Sequence, residues 1–192
     1  MHSRWARGGC PQTEDRTPLS GSLRVVQVAS ASSLFGGGER HVADLLKTAD
    51  TGEVQMTLVC PGPGALVELA RDRGIPTCLV PFSTMPSPHG LIRFRRLLAQ
   101  LDPQVVHVHG GRAALLARLA DPESDRRVVY TLHGVHAAEG PPWTRQRLLL
   151  ALERMLAKRT CRIITVCRSD AVKAESLRIA FPERLRVVAN GV

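Results

Sequence analysis

Seven short apolar runs, separated by stretches of helical spacing, restrict this chain more than any other feature it has. They lie at 23–29, 54–60, 77–80, 104–109, 127–132, 162–166 and 185–188. Each is nearly continuous in apolar residues rather than alternating with polar ones, which suits strands buried on both faces of a sheet. The stretches between them read as helices. Val42, Leu45 and Leu46 fall at helical spacing after the first run; 65–73 follows the second and closes at Gly74; 91–101 ends at Asp102-Pro103. Further helices are predicted over 112–120, over 143–160, and from Ser169, as N-cap, to about Ala180, where Phe181-Pro182 breaks the pattern. Strands alternating with helices predict an α/β, Rossmann-like parallel sheet of about seven strands, helices on both faces and right-handed connections.

The first 22 residues are rich in Arg, Gly, Pro, Ser and Thr and lack periodicity, so a mobile tail over 1–22 and one domain over 23–192 are expected. The net charge of +9 favours anionic partners, but it is dispersed, and aromatic residues make up only 4%. Both points argue against a nucleic-acid platform. Cys10, Cys60, Cys78, Cys161 and Cys167 form no C-x-x-C pair, and an odd count without a framework suggests a reducing compartment. With no secretory leader and no run of about 18 apolar residues, a cytoplasmic location is expected.

Between the first strand and the first helix stands Ser33-Leu34-Phe35-Gly36-Gly37-Gly38-Glu39-Arg40-His41. In open parallel sheets the carboxyl ends of the strands line the ligand crevice. Glycines there allow close backbone approach, and the free N–H groups of a helix start favour an anionic group. A phosphate or sugar-like ligand is the functional reading; a plain connection is the structural one. The dinucleotide fingerprint is missing, since Ser30-Ala31-Ser32-Ser33 comes first and the second strand ends in Cys60-Pro61 without a carboxylate. A P-loop is missing too.

Five segments, in order, resemble a known family. They are Gly36-Gly37-Gly38-Glu39-Arg40-His41-Val42, Asp102-Pro103-Gln104-Val105-Val106-His107-Val108-His109, Val129-Tyr130-Thr131-Leu132-His133-Gly134, Ile163-Ile164-Thr165-Val166-Cys167-Arg168-Ser169 and Val187-Val188-Ala189-Asn190-Gly191-Val192. The chain is similar to the N-terminal domain of retaining glycosyltransferases of the GT-B architecture, family 4. The resemblance implies an acceptor-side domain that faces a separate donor-binding domain across a cleft, with a nucleotide-sugar as substrate and no cofactor. Val192 matches the point where the family's chain crosses to the second domain, so that domain is expected to be absent here.

By the same resemblance, Gly36, Gly37 and Gly38 present N–H groups to the donor diphosphate or the acceptor. His133 is the expected catalytic residue, touching the transferred sugar or the acceptor, by hydrogen bonding or by proton exchange near neutral pH. Glu39 and Ser169 are candidate ligand contacts, each with a structural role as alternative. His107 and His109, two apart on one strand, point to one face, and His109 is the better crevice residue. No third metal ligand stands at evident spacing, so no metal is expected. His41, His136, Arg40 and Arg112 are weaker candidates. Glu175 and Glu183 reproduce the spacing of the family's paired glutamates, but those belong to the donor domain. Leu148, Leu149, Leu152, Met155 and Leu156 share a face of the 143–160 helix and are expected to cover the sheet; the alternative is a peripheral contact with an anionic membrane. A non-catalytic Rossmann-like remnant, or a partner subunit without turnover of its own, is the competing function.

Overall fold

The computed structural model describes residues 21–49, 52–82, 86–120, 127–134 and 143–190, with the side chains of 143–146 left aside. Most of the expected tail, His136 and the last two residues lie outside the described residues. The strands are β1 (Leu23–Ala29), β2 (Val54–Cys60), β3 (Thr77–Leu79), β4 (Val105–His109), β5 (Arg127–Leu132), β6 (Arg162–Thr165) and β7 (Leu185–Val187). The helices are α1 (Gly37–Thr48), α2 (Ala65–Asp72), α3 (Pro88–Leu101), α4 (Gly111–Ala120), α5 (Trp143–Ala157) and α6 (Arg168–Ser176). All seven strands pair in parallel, in the order β3-β2-β1-β4-β5-β6-β7.

The two-residue period of the strands divides the core in two. Val26 and Val28 of β1 join Val106, Val108, Val128 and Tyr130 against α3, α4 and α6. Val25 and Ala29 turn the other way, with Met56, Leu58 and Cys60, against α1 and α2. The chain runs outward from β1 to β3, returns through α3 to β4, and then runs outward on the other side. The order reverses between β1 and β4, and a ligand crevice belongs at such a switch point, outside the carboxyl ends of the strands.

Several boundaries differ from the sequence reading for local reasons. α3 starts at Pro88, because Ser87 Oγ accepts from the Gly90 N–H and proline suits the first helical position. α6 ends at Ser176, well before Phe181-Pro182. Arg178 takes a left-handed φ of 56°, and the Ile179 N–H returns to the Ala174 carbonyl, which tucks Ile179 into the core. The α6 cap is Cys167, whose side chain does not bond the backbone N–H groups of the helix start; Ser169 lies inside the first turn instead of capping it. On α5, Leu156 is buried, but Leu148 and Met155 are 58% and 51% exposed, so the five apolar residues do not share one covered face. The place expected for them is taken by Glu153, buried against Arg118 of α4 at 2.7 Å. Cys60, Cys161 and Cys167 are free, whereas Cys78 is disulfide-bonded.

Candidate functional site

The crevice is assembled from the ends of three strands. After β1, Ser30 ties the neighbouring strand end in place: its Oγ donates to the His109 carbonyl at 2.7 Å and accepts from the Ala113 N–H of α4 at 3.2 Å. Gly110 lies beneath it with φ of 82°, where a Cβ would come within 2.8 Å of Ser30 Oγ. Gly36 is the N-cap of α1 and has no side chain to satisfy the helix start. The Glu39 carboxylate of the first turn folds back over Gly36, where it complements the helix dipole. Gly38 packs against His133, so closely that a Cβ would be 2.9 Å from His133 Cδ2.

Ala29, Ser30, Gly36, Gly37, Gly38, Glu39, Val42, His109, Gly110 and His133 together line a cavity of about 290 Å³. Six of the seven site residues read from the sequence therefore meet in one place. Ser169 is not among the lining residues; it follows β6, and its Oγ lies 3.1 Å from Cys167 Sγ. A second cavity, of about 230 Å³, opens at the amino ends of β1 and β2 among Arg24, Met56, Arg73 and Ile75. It lies at the end of the sheet remote from the switch point.

At the wall of the main cavity, and including His109 and His133, stands a row of four imidazoles. Ring centres are 4.1 Å apart for His107 and His109, 5.6 Å for His109 and His133, 5.2 Å for His41 and His133, and 5.8 Å for His41 and His109. Strand register explains the grouping: Gln27 lies opposite His107, Ala29 opposite His109, and His109 opposite Thr131. Three contacts hold the row. His107 Nε2 is 2.8 Å from Thr131 Oγ1, His109 Nε2 is 2.8 Å from Gln27 Oε1, and His109 Nδ1 is 3.3 Å from His133 Nε2. Sequence reasoning treated His41 as minor and passed over Gln27. The signal for Gln27 was available, as the one amide inside the first apolar run.

Burial determines the charge of this row. It lowers His107 and His133 to about 4 and His109 well below the ordinary 6.5, and the neighbouring histidines add to the effect. His41 is lowered as well, by burial, with Asp44 opposing. At pH 7 the rings are neutral, so His133 in the free protein does not titrate near neutrality as expected from its type. Among the described residues, no group of three or more His, Cys, Asp or Glu is placed to hold a metal ion. Glu175 ends near the α6 terminus and Glu183 lies in the turn before β7, away from this cavity. Among the described residues no helix is long and apolar enough to cross a membrane.

Comparison with known proteins shows the family and the fold. The model of Glycosyltransferase Family 4 matches residues 35–192. EpsD of Bacillus subtilis (strain 168), provisionally named a glycosyltransferase, is 31% identical over 106 residues, which cover 52% of this chain and 28% of that protein. HepE of Anabaena, solved in complex with UDP and glucose, superposes with a TM-score of 0.70 at 16% identity, over 88% of this chain and 45% of HepE. A glycosyltransferase from Rickettsia africae ESF-5 gives 0.69 at 16% identity, over 89% and 44%. At such identities the structural likeness speaks for the fold. The chain spans less than half the length of each of these relatives.

Proposed function

Since the chain belongs to Glycosyltransferase Family 4, with the Rossmann-like fold of a GT-B N-terminal domain, we propose that its crevice forms the acceptor-side wall of a retaining sugar-transfer site. The single observation that carries this is the cavity in which the glycine turn, the α1 N-terminus and His133 converge at the sheet's switch point. Its volume lies at the lower bound of the roughly 300–1,000 Å³ typical of small-molecule pockets. That suits one sugar unit, with the rest of a nucleotide-sugar held by a donor-binding domain, in the same polypeptide or in a separate subunit. HepE was solved with UDP and glucose, which makes a nucleotide-sugar the natural candidate substrate.

In this reading each group has a physical task. Transfer with retention develops negative charge on the leaving phosphate, and donors already aimed at that charge lower the barrier. The N–H groups of Gly36–Gly38 and the positive end of α1 supply part of that field. Glu39, which lies over this helix start in the free chain, swings aside or takes an acceptor hydroxyl. His133 contacts the sugar as a neutral ring. Peripheral contact with an anionic membrane belongs to the same reading, and exposed Leu148 and Met155 beside Arg147, Arg154 and Lys158 support it.

Titration of the ¹⁵N-labelled chain with UDP-glucose tests the proposal. Resonances of Gly36, Gly37, Gly38 and His133 shift together, and His133→Ala weakens the binding by about tenfold, as for one lost hydrogen bond. Shifts confined to other parts of the surface, or binding indifferent to His133→Ala, would remove the sugar reading.

A further inference from the structure

Gln27 sits in the middle of β1, 5% exposed, at a position that any aliphatic side chain would fill. Its amide has two unlike neighbours. The nitrogen faces Met56 Sδ at 3.9 Å, and the oxygen lies 2.8 Å from His109 Nε2. This orientation gives the N–H group the thioether as a weak acceptor and leaves the oxygen for the imidazole.

Proton order follows by elimination. An amide oxygen only accepts, so His109 holds its proton on Nε2. The buried ring is neutral, so His109 Nδ1 keeps a lone pair. The atom 3.3 Å away is His133 Nε2, which must then be the donor. His133 is neutral as well and has no second proton. Its Nδ1 is left bare, and that atom is buried without a hydrogen-bond partner. The reverse order would turn the Gln27 oxygen toward sulfur and strand an N–H at His133, where unpaired buried N–H groups are rare. Thr131 closes off the neighbouring ring by its bond to His107 Nε2, and His41 touches the row only through ring contacts.

We infer that Gln27 sets the proton order of the row Gln27–His109–His133, which leaves His133 Nδ1 as a hydrogen-bond acceptor for any ligand hydroxyl or N–H group that reaches it. Gln27 touches no ligand; it is a positioning residue acting through His109. A buried polar atom without a partner calls for an explanation, and a hydroxyl arriving with the ligand supplies one. The inference rests on the proposed function only in naming that hydroxyl as a sugar's; the proton order stands without it.

Two-bond ¹H–¹⁵N spectra of the histidine rings in the full chain at pH 7 test it. His109 and His133 both show a single Nε2–H tautomer. Gln27→Met keeps the volume and removes the acceptor, and it turns both rings into tautomer mixtures. Thr131→Val, which removes the partner of His107 and leaves the row intact, does not change His133. An Nδ1–H tautomer at His133 in the unaltered chain overturns the inference, and so does a His133 tautomer that Gln27→Met leaves unmoved or that Thr131→Val moves equally. Should Gln27→Met fail to fold, the unaltered chain decides alone. Adding UDP-glucose separates the two claims: a shift of the bare Nδ1 signal supports both, and an intact tautomer with no shift removes the sugar reading while the proton order holds.

Discussion

A methyl group at Gly38 would press on His133 at 2.9 Å from Cδ2, while one at Gly37 would meet nothing within 4 Å. Neighbouring glycines of one turn therefore have different reasons to be glycine. Gly38→Ala is expected to displace the His133 ring and shift its signals, whereas Gly37→Ala leaves them in place; imidazole spectra of the two variants check this. The same rings govern acid stability. Burial lowers His107 and His133 to about 4 from an ordinary 6.5, so between those values the unfolded chain binds more protons than the folded one. Stability is then full above pH 6.5, falls as pH drops through the window, and levels off near 4. Urea midpoints at pH 7 and pH 5 should show the loss, and His107→Asn should reduce it.

At the scale of elements, the docking of α5 on α4 depends on one buried ion pair. Arg118 is fully buried; its Nη2 donates to both Glu153 oxygens at 2.9 and 2.7 Å, its Nε donates to the Ala114 carbonyl, and its guanidinium lies 5.0 Å from the Tyr130 ring centre. Its Nη1 remains unpartnered, so the pair is incompletely satisfied. Removing one partner leaves a lone buried charge, and Glu153→Leu is expected to cost about 3–5 kcal/mol. Replacing both, as in Arg118→Met with Glu153→Leu, should return most of that loss, because desolvation of the pair offsets much of its attraction. Denaturant melts of the single and double variants measure the difference.

For the molecule as a whole, the sheet separates two cores that share no face. Leu66 of α2 and Leu116 of α4 are each fully buried, one in each core. Truncating either to alanine should cost about 2–5 kcal/mol, and because the sheet lies between them the double variant should lose the sum within about 0.5 kcal/mol. Coupling well beyond that would mean the two layers are not independent. The net charge of +9 acts at longer range. Vesicles with anionic lipid should retain the chain at low salt and release it as the screening length shrinks from about 30 Å at 0.01 M to about 8 Å at 0.15 M. Retention unaffected by salt would point to apolar insertion by Leu148 and Met155 instead.

What the sequence determined by itself was the sheet and the place of the glycine turn. Continuous apolar runs can only be buried strands when helices of the right spacing separate them, and all seven strands stand where the runs predicted, within a residue. His133, His109 and the three glycines were legible because motif position along the chain maps onto strand ends. Other features belong to the tertiary structure alone. Glu153 looks like a surface residue until Arg118 of another helix reaches it. Leu148 and Met155 look like core in the sequence, yet both stand exposed on α5. Ser169 lost its capping role because the backbone at Cys167 started the helix two residues earlier. The imidazole row joins residues of β4, the end of β5 and α1 to an amide of β1, and no local pattern carries that. Periodicity records which face a side chain takes; only strand order and register decide which side chains it then meets.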